Sequence, residues 1–421
     1  MPVSTRLRPA QRLSERWFAE TTLSASADRY TRYLTARGYA AETVKGYFRS
    51  VAHFVHWTTR QRTDVATIDE ALIERFVERH LRKCRCAPKC LHVANTVRAA
   101  LVHFLTMLRD NGHCTEPASM VPAAISAELE DFDRHLTEVR GLCATTRSTR
   151  LHHVRDFLLE HFRVGRVELK KLDAADIARF IRRYTAGWRP ASIRSASISL
   201  RSYFSLKASH GDTTTALIAA LPRVAQWRLA GLPQVLSADE IRQLLLAFDR
   251  STATGKRDYA MTRCLLDLGL RRTEVARLEL EDVDWQAATL RIHAKGRRID
   301  VLPLPAATGR AIAAYLQHGR PQTTRREIFV RHRPPINAPA GPDIVRNAVR
   351  YAAQRCGLER RVRGTHILRH TVACRLVQRG TPFKEIADLL RHRSLDTTTL
   401  YAKVDLPALA RVALPWAGRS T

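Results

Sequence analysis

At 421 residues with 45% apolar content, the chain is long enough for two or three domains with ordinary globular cores. Its 70 basic against 40 acidic side chains leave a net charge of +30, which favours a polyanionic partner and sets nucleic acid ahead of a membrane surface. No run approaches the roughly 20 apolar residues of a spanning helix, Met1 to Trp17 lacks an apolar centre, and the eight scattered cysteines fit reduced thiols in a cytoplasm.

The first half of the chain repeats itself. Tyr33 to Tyr39 is echoed by His135 to Leu142, and each stretch is followed by a threonine, Thr43 or Thr146, placed to cap a helix. Phe54 is matched by Phe157, Ile68-Asp69 by Leu172-Asp173, and Phe76 by Phe180, with both aspartates expected to cap further helices. Val93 to Leu108 and Ile193 to Leu206 close the two units. The pattern predicts tandem small all-helical domains, 20–115 and 125–212. Inside the first, Cys84, Cys86, Cys90 and His92 resemble metal-ligand spacing, with His113 and Cys114 further on. Zinc sites usually have two-residue gaps and Cys84-x-Cys86 is tight, so the expectation is reduced thiols in an Arg/Lys-rich loop, with no metal and no cofactor.

A linker is expected from Gly211 to Pro233, through Thr213-Thr214-Thr215 and Pro222. Ser237 followed by Glu240 has capping-box spacing and opens a third domain, 234–421. Helical periodicity dominates there, except that Thr289 to Leu304 reads as a β-hairpin, with Leu290, Ile292, Ile299 and Val301 flanking Lys295-Gly296-Arg297-Arg298. The fold class is mainly α: tandem helical units, then a mixed, mostly α domain with a small β element.

The chemistry-bearing residues lie in this third domain. Arg271 and Glu274 stand three apart in Gly269-Leu270-Arg271-Arg272-Thr273-Glu274. His366, Arg369 and His370, spaced i, i+3, i+4, share one side of one helix. His392 and Tyr401 follow. Arginines can neutralise phosphate oxygens, histidines exchange protons and a tyrosine hydroxyl attacks phosphorus, which is what phosphodiester transfer needs.

In this order the set resembles the tyrosine recombinase (phage integrase) family. That family carries an Arg in a Gly-Leu-Arg-x-x-Glu segment, a hairpin Lys, a His-x-x-Arg segment, a second His and a nucleophilic Tyr shortly after it. The resemblance implies Arg271, Lys295, His366, Arg369, His392 and Tyr401 as catalytic residues, strongly over about 235–405, and makes the helical units look like the family's core-binding domain. It implies a site-specific recombinase of a mobile element, an integrase or transposase, that cleaves and rejoins DNA through a 3′-phosphotyrosine without ATP or metal. The implied partners are double-stranded DNA, a homotetramer on synapsed DNA and accessory recombinases, with no membrane. Two features depart from the family: Arg391 stands where Gly usually precedes the second His, and the helical unit is doubled. A type IB topoisomerase-like enzyme and a non-catalytic DNA-binding protein are the alternatives. The apolar positions from Val404 to Trp416 need a surface to cover, either on the chain's own catalytic domain or, as the resemblance implies, on a neighbouring protomer.

Overall fold

The computed structural model describes residues 9–21, 23–84, 86, 93–114, 121–162, 166–225, 233–293, 299–336, 338–391 and 398–404. The chain is mainly helical and divides into two compact units: residues 1–113 together with 229–421, and residues 114–228.

The N-terminal part of the first unit holds α1 (Pro9–Ala19), α2 (Ser24–Ala36), α3 (Ala41–Arg60), α4 (Glu70–Arg75) and α5 (Ala94–Asp110), with a π-helical turn, Phe76–His80, running on from α4. Its core is aromatic. Phe104 meets Tyr30 edge-on at 5.4 Å, and Phe54 meets Phe76 at 5.2 Å and 84°. Offset edge-to-face packing of this kind adds to the burial of the rings.

The second unit holds α6 (Ala123–Glu138), α7 (Ala144–His161), α8 (Ala174–Tyr184), α9 (Pro190–Ser209) and α10 (Thr215–Ala220). The internal repeat extends to side-chain geometry, since Phe157 meets Phe180 at 5.2 Å and 80°, as Phe54 meets Phe76 in the first unit. Asp69 and Asp173 both cap their helices, accepting from the backbone N–H groups of Leu72 and Asp176. Thr43 and Thr146 do not cap. Helices α3 and α7 begin earlier, with extended Ala40 and Cys143 at the N-cap, which leaves both threonines inside the first turn. The start of the expected linker is also helical, because Leu217 of α10 and Leu221 bury into the core of this unit.

The remainder of the first unit holds α11 (Ala238–Leu246), α12 (Ala253–Asp267) and α13 (Arg272–Val275). Strands β1 (Val283–Asp284), β2 (Thr289–His293) and β3 (Ile299–Pro303) come next. They are followed by α14 (Ala306–His318), α15 (Pro342–Arg355), α16 (His366–Gln378), α17 (Phe383–Leu389) and a 3₁₀ turn, Thr399–Val404. Ser237 and Glu240 form the expected capping box. The strands make one antiparallel sheet in the order β1-β2-β3, in which β1 is an addition to the expected hairpin. The register pairs Leu290 with Leu302 and Ile292 with Asp300. Leu290, Ile292 and Leu302 therefore face the core, whereas Ile299 and Val301, on the other face of β3, are more than half exposed.

Gly38, between α2 and α3, touches the C-terminal part of this unit. Its φ is +79°, and a Cβ there would lie 2.5 Å from the Ile336 side chain, while the Ile336 N–H donates to the Arg37 carbonyl at 3.3 Å. Only glycine fits both the conformation and the approach.

Candidate active site

Four of the six residues singled out by the sequence meet in one place. Arg271 precedes the short helix α13, His366 and Arg369 lie on the first turns of α16, and Tyr401 sits in the 3₁₀ turn that packs on α16. Lys295 and His392 lie outside the described residues, as do Cys90, His92 and the tail beyond Val404.

Glu274 organises the arginines. Its carboxylate accepts from the Arg271 backbone N–H at 2.8 Å, from Arg271 Nη1 at 2.7 Å and from Arg391 Nη2 at 2.9 Å. Burial opposes the charge on Glu274, but Arg391 and these hydrogen bonds hold its carboxyl below the usual value. Arg391 is the departure noted in the sequence. It follows α17 with φ +53°, the left-handed conformation that a glycine at a helix C′ position adopts freely. An L-residue there costs about 1–2 kcal/mol. The buried pair with Glu274 and a 2.8 Å bond from Arg391 Nη1 to the Leu389 carbonyl hold it in place.

Arg369 is almost fully buried, and its two terminal nitrogens donate to the carbonyls of Gly269 and Leu390. Gly269 has φ +59°, and a Cβ on it would lie 2.6 Å from Leu390, so the loop before Arg271 and the end of α17 close on each other through Arg369. Burial, with Arg271 and Arg391 nearby, pushes the Arg369 guanidinium down to about 9, which leaves it charged at neutral pH. Arg271 is the accessible one, with 37% of its side chain exposed.

The Tyr401 ring is buried among Ala373, Cys374, Val377, Ile386 and Leu390. Its hydroxyl lies 2.9 Å from His370 Nδ1. Burial pushes this phenol up to about 12 against the pull of Arg369 and Arg271, so it is protonated at neutral pH and can donate to His370 when the imidazole is neutral with Nδ1 unprotonated. Burial and the neighbouring positive charges hold both His366 and His370 below the ordinary value of 6.5. His370 was legible as sharing a helix face with His366, but nothing in the sequence paired it with Tyr401. The arrangement can accept the phenolic proton on an imidazole while two guanidinium groups draw negative charge towards the oxygen.

Comparison with known proteins places the chain in a family. The model described as the phage integrase family matches residues 234–406, and that of the phage integrase N-terminal SAM-like domain matches 27–112. The integrase/recombinase y4rA of Sinorhizobium fredii is 34% identical over 393 residues, covering 93% of this chain and 94% of the relative. Tyrosine recombinase XerD of Listeria monocytogenes is 28% identical over 295 residues, covering 66% of this chain and 93% of the relative. Among solved structures, XerH site-specific recombinase bound to palindromic difH substrate aligns with a TM-score of 0.54 at 20% identity, covering 80% of this chain and 93% of that one. The Tn1549 transposon integrase with transposon right end DNA aligns at 0.51 and 15% identity, covering 67% and 99%.

Proposed function

Because the chain belongs to the phage integrase family, we propose that Tyr401 is the nucleophile of its DNA strand transfer, with His370 as the first acceptor of the phenolic proton. The chain is a tyrosine recombinase, which cleaves and rejoins DNA through a protein–DNA tyrosyl link. The observation that carries the assignment is the 2.9 Å contact between Tyr401 and His370, beside Arg369 and Arg271. In the proposed step the Tyr401 oxygen attacks the scissile phosphorus, the 5′-oxygen leaves and a 3′-phosphotyrosine forms. Arg271 and Arg369 draw off the charge that gathers on the non-bridging oxygens. His366 and His392 hydrogen-bond the same phosphate, and Lys295 protonates the departing oxygen. The phosphotyrosine keeps the bond energy, so rejoining calls for no ATP.

The partner in this reading is double-stranded DNA, which the difH substrate bound to XerH and the transposon right end DNA bound to the Tn1549 integrase support. We further propose a homotetramer on synapsed DNA, accessory recombinases as additional partners and a cytoplasmic location. No helix among the described residues is long and apolar enough to cross a membrane. The two helical units would clamp DNA jointly with the domain at 234–421, raising affinity through effective concentration. A nicked substrate that loses its short strand on cleavage traps the covalent complex, and mapping its ends tests the whole reading. Adducts at one defined position per site are expected. Adducts scattered over any relaxed duplex would move the chain to the topoisomerase-like alternative.

Lys295→Ala is expected to be slow on ordinary DNA and restored on a substrate whose scissile 5′-oxygen is replaced by sulfur, a leaving group that needs no proton. An equal defect on both substrates would shift the acid elsewhere. His293 is a poor replacement, since its Nε2 is held 2.9 Å from Asp282.

The lowered values of His366 and His370 give a pH dependence of definite sign. Both are neutral above the ordinary value of 6.5 and gain a proton only below it. Single-turnover cleavage should therefore be flat from neutral pH upward through 8 and fall on the acid side of 6.5, as the acceptor of the Tyr401 proton fills. A rate that rose on acidification would exclude a neutral imidazole as the base.

A further inference from the structure

We propose that the first helical unit holds a structural zinc ion, bound by His53, His80, Cys84 and Cys86. The ligand atoms of these four side chains lie within 4.8 Å of one another. His53 Nε2 and His80 Nε2 are 3.2 Å apart, and Cys86 Sγ is 3.6 Å from His80 Nε2. A tetrahedral zinc ion with nitrogen at about 2.05 Å and sulfur at about 2.3 Å sets N···N edges of about 3.3 Å and S···N edges of about 3.6 Å. The observed separations match both edges. Two Nε2 atoms facing each other can form a hydrogen bond only if one of them carries the proton, whereas a metal ion uses both lone pairs together.

The internal repeat provides a control within the same molecule. In the second unit the positions matching His53 and His80 are Asp156 and Tyr184, given the offsets that relate Phe54 to Phe157 and Phe76 to Phe180. There the contact is a single hydrogen bond of 2.9 Å from the Tyr184 hydroxyl to Asp156. The first unit replaces that bond with two imidazoles and adds thiols. The thiols come from a longer connection, since residues 81–93 separate the π turn from α5, while only residues 185–189 separate α8 from α9. The π turn is the other difference. Its i→i+5 bond, from the Leu81 N–H to the Phe76 carbonyl at 2.8 Å, places His80 opposite buried His53, and such turns recur at functional sites.

Softness and charge both fit. Two imidazoles and two thiolates in a tetrahedron favour zinc over calcium or magnesium. Binding releases the two thiol protons, and the two thiolate charges then neutralise the ion. The site lies against Trp57 and Phe76, which pack on the His80 ring at 5.7 and 5.2 Å, so a neutral centre suits its surroundings. The ion would tie α3, through His53, to His80 of the π turn and to Cys84 and Cys86 just beyond it.

The test uses the full-length chain, untagged and purified under reducing conditions from cells given zinc. Elemental analysis after dialysis should find about one zinc per chain. Exchange with cobalt(II) should give visible d–d bands of tetrahedral intensity and a near-ultraviolet thiolate-to-cobalt band. Both should be lost in Cys86→Ser and His80→Ala and kept in Cys143→Ser, whose thiol is exposed elsewhere. If the variants unfold, the cobalt spectrum of the unmodified chain still decides, because it reports thiolate ligation directly. A chain without metal and without the thiolate band, a metal retained by both variants, or a Cys84–Cys86 disulfide under these conditions would each overturn the proposal.

Discussion

A Tyr401→Phe chain is expected to bind its DNA site with unchanged affinity and to form no covalent adduct. The substitution removes one oxygen from a ring packed among Cys374, Val377, Ile386 and Leu390. Lost packing is therefore negligible, and the lost hydrogen bond to His370 costs about 1 kcal/mol of stability. The chemical loss is expected to be complete, because Tyr401 is the hydroxyl in contact with His370 and beside Arg369. A denaturing gel of the variant with a nicked substrate measures this, and protein still joined to cleaved strand would remove Tyr401 from its role. The 3₁₀ turn packs Tyr401 on α16 of its own chain, so attack in cis is expected. Mixing Tyr401→Phe with an inactive arginine variant should not restore cleavage, whereas restored cleavage would mean that the tyrosine is donated to a neighbour.

Arg271→Lys and Arg369→Lys are expected to lower single-turnover cleavage on the order of 10²–10³-fold, the usual loss when one oxyanion donor is removed. Lysine keeps the charge but lacks the planar fork that reaches two oxygens together. The two variants should differ in stability. Arg271 is partly exposed, and its replacement leaves Glu274 still paired with Arg391. Arg369 bridges the Gly269 and Leu390 carbonyls from a buried position, so Arg369→Lys should also lower the melting temperature. DNA affinity should change little in either, since one phosphate contact is small beside a net charge of +30. Near-normal cleavage by Arg271→Lys would take that residue off the phosphate.

The parts of this molecule that were legible in the sequence are those fixed by short-range pattern. Asp69, Asp173 and Ser237 show their caps within three residues, and alternation placed the β2–β3 hairpin. Thr43 and Thr146 misled because they sit at helix starts where Ala40 and Cys143 already supply the extended backbone that a cap requires. β1 has only two residues, too few for any periodicity. Contacts between distant segments left no local trace. The Arg391–Glu274 pair joins residues far apart in the chain, and only the unusual arginine at a glycine position hinted at it. The His53–His80 pair was hidden for the same reason, while the nearby thiols drew attention to Cys90 and His92 instead.

The Gly38–Ile336 contact bears on the order in which the chain matures on the ribosome. Residues 1–113 and 229–421 form one compact unit, with residues 114–228 emerging between them. The interrupting segment carries its own buried core and can finish folding while the polypeptide is still being made. The opening helices, by contrast, wait for Ile336 before this surface is covered. Joining ends roughly 300 residues apart costs on the order of 5 kcal/mol in loop entropy, and prior compaction of the middle shortens the distance to be searched. Until then the helices around Gly38 leave the exit tunnel with an uncovered face. An apolar surface left uncovered for that long is a route to misassembly that the small helical units alone would not suggest.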